Sequence, residues 1–314
     1  MQSDKIKYID HPPVLTLIIS VLTITLMFVN LGRISSPVVQ YLVILFVYAV
    51  VFGLPSFLYV NRFGFDIFKK VTFGFSGGKF IPVTLLITAI VIVQSSILKF
   101  GIFRIGYDFT VYSLYGSSIY TGNANALEWI ALLLIVCILP AVCEEFVFRG
   151  IIINEYYKCG EIWAIIISSL LFAFVHLSFT AFPIYFLAGI ALGLLAFMTK
   201  SVIYPLIAHF LYNVFTLIFE KYVWLMSSSP DSEVFFWLIL VFLYLVFLFI
   251  LSFVLERHFK AKGREETING PDTTQYAIKP KPYGTLFQRV FLAVPMIGQI
   301  LIFITVALLV QFLR

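Results

Sequence analysis

The 314-residue chain is too apolar to be a soluble protein. Hydrophobic residues make up 61% and charged residues 12% of the sequence, and the mean hydropathy is +1.02, as in integral membrane proteins. The formal net charge of +5 comes from Lys and Arg scattered at the ends of apolar runs, which excludes a nucleic-acid-binding protein. The three cysteines have neither the spacing of a disulfide framework nor that of a zinc site.

Nine apolar runs predict an all-α polytopic membrane protein with about nine transmembrane helices, because a bilayer core takes about 20 apolar residues of helix. Placing the N-terminus in the cytoplasm puts 16 of the 21 Lys and Arg residues on the inner side. This bias favours nine spans over eight, the alternative in which the last run lies on the membrane surface. The runs are 14–31, 38–60, 81–100, 127–157, 161–177, 183–199, 202–220, 234–255 and 290–312.

The predicted organisation has three parts. Residues 1–126 hold the first three membrane helices and a segment rich in Phe and Lys, 61–80, which is expected at the membrane interface. Residues 127–220 hold four helices that carry the polar motifs. Residues 221–314 hold the last two helices, with a polar cytoplasmic loop at 256–289.

The fourth run carries the most informative ionisable groups. Asn125 followed by Glu128 resembles a capping box and predicts a helix start at this point. Further along, Glu145 and Arg149 are four residues apart, so on a helix they stack on one face as an ion pair. Glu144 is rotated by about 100° from its neighbour and is free to point into a cavity. Ionisable groups in a bilayer are costly, so they usually mark function.

Two later runs carry further polar groups. Phe172 and His176 lie four residues apart at the end of the fifth run, and His209 and Asn213 share one face of the seventh. A single membrane histidine is more often a packed residue than a catalyst. Together with a carboxylate on a third helix, the two histidines predict one cavity in which acid, base and hydrogen-bonding groups meet.

The order of these motifs carries a family resemblance. Three motifs follow one another on successive hydrophobic segments: Glu-Glu-x-x-x-Arg, Phe-x-x-x-His and His-x-x-x-Asn. This series resembles the CAAX protease and bacteriocin-processing (CPBP) family of intramembrane endopeptidases. The resemblance covers about residues 127–220. It implies a catalytic core of four helices and a hydrolase that cuts a membrane-associated peptide or protein with a glutamate-activated water. Such a glutamate protease is expected in a bacterial cell membrane, in contact with lipid and with its membrane-bound substrate.

The family also implies a role for each motif residue. Glu144 activates the attacking water together with His176, while His209 and Asn213 hold the scissile carbonyl oxygen. The residues expected to support this site are Glu145, Arg149 and Phe172.

Other readings of the same residues stay open. Glu144, His176 and His209 could instead bind Zn²⁺, although the chain has no HExxH motif and we expect no cofactor. Cys143 is a poor candidate nucleophile, because it projects about 100° away from Glu144. A non-proteolytic immunity or scaffold protein would keep the fold without the chemistry. A proton-coupled transporter would use the same groups as a relay, but no internal repeat supports it.

Overall fold

The computed structural model describes residues 11–27, 34, 36–64, 68–106, 125–227, 230–269 and 290–312. Over these residues the chain is helical apart from turns and one isolated bridge between Thr72 and Ser201. The predicted all-α class is therefore confirmed. The first ten residues, the connection 107–124 and residues 270–289, on which parts of the prediction fall, lie outside the described residues.

The helices are numbered in chain order. Those before the motifs are α1 (His11–Met27), α2 (Pro37–Tyr48), α3 (Leu54–Phe63) and α4 (Ile81–Arg104). Those that carry the motifs are α5 (Ala126–Leu132), α6 (Leu139–Glu145), α7 (Ile153–Tyr156), α8 (Glu161–Val175), α9 (Phe182–Thr199) and α10 (Ile203–Ile218). They are followed by α11 (Glu220–Ser227), α12 (Pro230–Asn269) and α13 (Val294–Phe312).

The predicted apolar runs coincide with apolar helices in the described part of the chain. Five helical stretches are long and apolar enough to cross a membrane: Val38–Phe63, Gly78–Arg104, Ala126–Tyr156, Phe182–Thr199 and Glu233–Ala261. Four shorter apolar helices accompany them: His11–Leu26, Glu161–Val175, Ile203–Ile218 and Val294–Leu309. The last of these packs against α1, where Ser20 and Gln299 hydrogen-bond to each other while fully buried. The nine-span count stays a prediction.

The predicted loop at 256–289 is wrong in its first part. Helix α12 continues through Asn269, so residues 256–269 are helical. Turn signals further along the chain dominated the prediction, but this stretch itself is rich in Glu, Lys and Arg, which are good helix formers. An exposed pair between Glu256 and Lys260, four residues apart, supports the added turns.

The long helix that carries Glu144 is not a regular α-helix. It begins at the predicted capping box of Asn125 and Glu128, which is confirmed. It then passes through two π-helical segments, Leu133–Ile138 and Phe146–Ile152, on either side of α6. Such wide turns inside α-helices are frequent at functional sites.

Side chains from elsewhere bind carbonyl groups in both wide turns. Asn213 donates to the carbonyl of Cys137 at 3.2 Å in the first π-helical segment. Ser168 donates to the carbonyl of Phe148 at 2.9 Å in the second. Backbone groups at membrane depth need such internal partners. These donors therefore hold the wide turns, and with them the position of α6.

A segment at 68–77, called the strap below, crosses one end of the motif helices. The Asn154 carboxamide accepts from the backbone N–H groups of Lys70 and Val71 at 2.9 Å each and donates to the Val71 carbonyl at 2.8 Å. At the other side, Thr72 exchanges backbone hydrogen bonds with the turn between α9 and α10. The segment predicted at the membrane interface thus also fastens α7 to the start of α10.

Helices α8 and α9 approach each other closely at two glycines. A methyl group built on Gly189 would lie 2.9 Å from the Ser169 backbone, and one on Gly193 would lie 3.0 Å from the Ile165 side chain. The spacing of four residues puts both glycines on one face. Only glycine at these positions lets the two helix backbones come this near.

Candidate active site

Three helices bring Glu144, His176 and His209 together. The Nε2 atoms of His176 and His209 lie 3.9 Å and 4.0 Å from the same Glu144 oxygen, Oε2. Glu144 and His209 are buried, and the side chain of His176 is 20% exposed. The structure thus brings the three predicted side chains together, and a shared cavity between them stays a prediction. Both separations are too long for direct hydrogen bonds but suit a bridge through one water molecule.

His176 reaches the site because α8 ends there. It is the C-terminal cap of that helix, and the next residue, Leu177, adopts a left-handed backbone with φ of 52° although it is not glycine. Leu177 is also buried. Strained backbone of this kind persists where the surrounding packing enforces it, and it clusters at functional sites. The turn presents the His176 ring beyond the helix end.

Hydrogen bonds fix the tautomers of both imidazoles. His176 Nδ1 lies 2.7 Å from the Phe172 carbonyl oxygen, and His209 Nδ1 lies 2.8 Å from Glu145 Oε1. A carbonyl or a carboxylate oxygen accepts hydrogen bonds, so each Nδ1 carries the proton. In the neutral rings, both Nε2 atoms therefore present lone pairs towards Glu144. The site is rich in acceptors.

The predicted ion pair of Glu145 and Arg149 is confirmed, with Arg149 Nη1 2.7 Å from Glu145 Oε1. Both residues are fully buried. Arg149 Nη2 also donates to the Gly189 carbonyl at 3.2 Å, and its guanidinium lies 4.8 Å from the centre of the Phe172 ring. Sequence reasoning missed the bond from His209 to Glu145, since 64 residues separate them. The bracing pair thus also orients a site histidine.

Asn213 lies one turn beyond His209 on α10, and its side chain is hydrogen-bonded to the backbone of a neighbouring helix. One amide N–H donates to the Cys137 carbonyl. A carboxamide has two N–H donors, so one remains for a ligand. The family-implied role in binding the scissile carbonyl remains a prediction.

Tyr185 is a site residue that the motifs did not indicate. Its ring stacks on His176 with centroids 3.6 Å apart and planes inclined by 20°. It also meets Phe172 edge-on at 6.2 Å. Tyr185 lies in the first turn of α9, four residues before Gly189, whose carbonyl accepts the hydrogen bond from Arg149. The same face of α9 therefore contacts both Arg149 and His176.

A second polar cluster lies outside the motif helices. Lys99 on α4 forms an ion pair with Glu220 at the start of α11, and nearby Ser95 and Tyr212 share a hydrogen bond of 2.7 Å. A small cavity is lined by Ser96, Lys99, Phe100, Glu220, Val223, Phe236 and Leu240. Lys99 lies within the predicted apolar run 81–100, where an ionisable group usually marks function.

The zinc alternative requires that Glu144, His176 and His209 be placed around one metal ion. Lone pairs on two Nε2 atoms and a carboxylate are chemically suited to zinc. Within the described ranges, however, no group of three or more His, Cys, Asp or Glu side chains is arranged to hold a metal ion. Activity without a bound metal stays a prediction.

The region that carries the motifs is similar to known CAAX proteases. Residues 126–215 match the family model described as type II CAAX prenyl endopeptidase Rce1-like. The chain is 33% identical over 131 residues to the membrane-embedded CAAX protease MroQ of Staphylococcus aureus strain USA300, an alignment that covers 38% of this chain and 53% of that protein. It thus spans about half the length of this relative. No solved structure matches the chain.

Proposed function

We propose that the chain is an intramembrane endopeptidase of the CPBP family, which hydrolyses a peptide bond of a membrane-associated peptide or protein, because residues 126–215 match the type II CAAX prenyl endopeptidase model and resemble a CAAX protease. The supporting observation is the placement of the Glu144 carboxylate about 4 Å from two imidazole nitrogens. The family match favours this activity over the scaffold and transporter alternatives.

In the proposed reaction, a water molecule donates its two O–H groups to Glu144 Oε2 and His176 Nε2. Its oxygen attacks the carbonyl carbon, and Glu144 takes the proton that is released. The resulting tetrahedral intermediate carries its negative charge on the former carbonyl oxygen. When the C–N bond breaks, the proton on Glu144 passes to the leaving nitrogen. The products are a carboxyl group and an amine, so the atoms of one water are consumed.

The remaining motif residues have supporting roles in this proposal. Asn213 offers its second N–H to the oxyanion. His209, which Glu145 holds through its Nδ1–H, offers another donor from Nε2 when its ring is protonated. Arg149 neutralises Glu145, which keeps an uncompensated charge out of the low-dielectric interior. Phe172 supplies the carbonyl that orients His176 and the ring that covers Arg149. We propose that these groups act without a resident metal or cofactor.

The proposed setting is a bacterial cell membrane with the N-terminus in the cytoplasm. The integral membrane character follows from the apolar helices, and the relative named above is bacterial. The orientation rests on the distribution of Lys and Arg. The substrate is expected to reach the site from the lipid phase, and the family name suggests a CAAX-type peptide as the first candidate.

The test is substitution of Glu144 by Gln, which keeps the shape of the side chain and removes the base. Cells that produce either form are fractionated, and new peptide termini in their membranes are quantified by mass spectrometry. We expect termini that depend on Glu144, and loss of their formation by about 10²–10⁴-fold or more in the variant.

The matched control is Glu256→Gln, which changes an exposed carboxylate on the extension of α12. It should leave the same termini unchanged. A full set of termini in the Glu144→Gln membranes would contradict the proposed mechanism. Absence of any difference between producing and non-producing cells would contradict protease activity itself.

A further inference from the structure

The site contains few hydrogen-bond donors for the oxyanion that the proposed reaction forms. Glu144 accepts only when ionised, and the neutral rings of His176 and His209 direct lone pairs inward because each Nδ1–H is engaged. His209 can donate from Nε2 only while its ring carries both protons. Asn213 has already committed one N–H to Cys137. Stabilising an oxyanion commonly takes more than one preorganised donor.

Tyr185 brings a hydroxyl donor to this place. Its ring lies parallel to His176 at 3.6 Å, and Phe172 holds it from the side. The hydroxyl makes no hydrogen bond to any part of the chain that the structure describes, whereas the hydroxyls of Tyr204 and Tyr212 are each bound to another residue. A phenol donates independently of the protonation state of the histidines.

We propose that Tyr185 is a further catalytic residue, whose hydroxyl donates a hydrogen bond to the oxyanion of the tetrahedral intermediate. The inference rests on the proposed endopeptidase function and adds one group to it. The stacked imidazole holds the phenol ring in place before substrate arrives. The bond to the carbonyl oxygen strengthens as negative charge develops there, so the interaction favours the transition state over bound substrate.

The test separates the hydroxyl from the ring. Tyr185→Phe removes only the oxygen and keeps the stack on His176, while Tyr185→Leu removes both. Initial rates of formation of the Glu144-dependent termini are measured in membranes with equal amounts of each protein. We expect Tyr185→Phe to lose about 10²–10³-fold, the usual cost of one oxyanion donor. Its thermal unfolding midpoint should equal that of the unchanged protein. Tyr185→Leu should be at least as slow.

Tyr244→Phe is the matched control, since it removes a tyrosine hydroxyl from α12, where the contact to Gln94 is long at 3.5 Å. It should cleave at the full rate. A Tyr185→Phe protein as fast as this control overturns the proposal while leaving Glu144-dependent proteolysis intact. If no Glu144-dependent termini exist at all, the proposed function fails and the role of Tyr185 fails with it.

Discussion

The Glu145–Arg149 pair and the Lys99–Glu220 pair are both buried among apolar helices, but their surroundings differ. The first is sealed, with both side chains at most 1% exposed, and it binds a site histidine and a backbone carbonyl of α9. The second joins α4 to α11 beside a small cavity, and the Glu220 side chain is 17% exposed. Only the first lies within the family match.

The comparison shows that a buried charge pair is not by itself the mark of a catalytic centre. What distinguishes the motif region is a third carboxyl group, Glu144, whose Oε2 atom lies about 4 Å from two imidazole nitrogens and is not in contact with any Lys or Arg that the structure describes. A carboxylate held among acceptors is poised to take a proton, whereas a paired carboxylate is occupied. The Lys99–Glu220 pair has the features of a clamp between helices.

The largest effect on stability is expected when the sealed pair is broken. Arg149→Ala should lose about 3–5 kcal/mol of unfolding free energy, because Glu145 is left charged in low dielectric. The variant should accumulate poorly in membranes, as measured by immunoblotting and by denaturant titration in detergent. Lys260→Ala, which removes one partner of the exposed Glu256–Lys260 pair, is the control and should accumulate normally. Full accumulation of Arg149→Ala with activity abolished would instead assign Arg149 to the chemistry.

A smaller effect is expected at the second pair. Lys99→Met should lose about 1–3 kcal/mol, because Glu220 retains some exposure to polar surroundings. The double variant Lys99→Met with Glu220→Met should recover part of this loss, since both partners of the pair are then apolar. Activity per folded molecule should stay unchanged in both. Loss of cleavage by well-folded Lys99→Met would show that this cluster belongs to the machinery and would break the distinction drawn above.

Asn154→Ala tests how strongly the motif helices depend on the strap. The change removes the acceptor for two backbone N–H groups and the donor to the Val71 carbonyl. We expect a loss of about 1–3 kcal/mol in unfolding free energy, and cleavage that falls only in proportion to the folded fraction. Asn154→Asp keeps the acceptor and should lose less. Equal losses in the two variants would show that the N–H groups of the strap do not need this partner.

Metal removal is expected to have no effect. Detergent-purified protein should keep its Glu144-dependent activity in EDTA or phenanthroline, because the proposed reaction uses only side chains of the chain. A zinc enzyme would lose turnover on chelation and regain it when zinc is restored. Stoichiometric zinc with that behaviour would make Glu144, His176 and His209 ligands, and the sealed pair would then be support for a metal centre.

The motif residues could be predicted because ionisable groups stand out in apolar sequence. Helical spacing was sufficient for the Glu145–Arg149 pair, and the meeting of Glu144 with the two histidines followed from one polar group on each of three helices. Tyr185 could not be found in this way, since it is one of 17 tyrosines and its importance depends on how α9 packs against α8. Likewise, Glu220 lies 121 residues from Lys99, so no local pattern links them.

The wide turns around α6 also had no signal in the sequence. Their carbonyl partners, Ser168 and Asn213, come from α8 and α10, so the local conformation is decided by tertiary contacts. For the same reason the bond from Asn213 to the Cys137 carbonyl had no signal in the sequence. Sequence patterns report what a segment prefers, while the direction of each donor depends on the packed neighbours.

The strap has a consequence for biogenesis. Its residues leave the ribosome long before their partners, because Val71 binds Asn154 across 83 positions and Gly74 binds Ser201 across 127. The early helices must therefore enter the membrane without the contacts that later hold them to the motif region. The strap can complete its contacts at that end of the motif helices only after synthesis has passed the start of α10. Until then the three side chains of the candidate site cannot meet, since His209 lies beyond Ser201 in the chain.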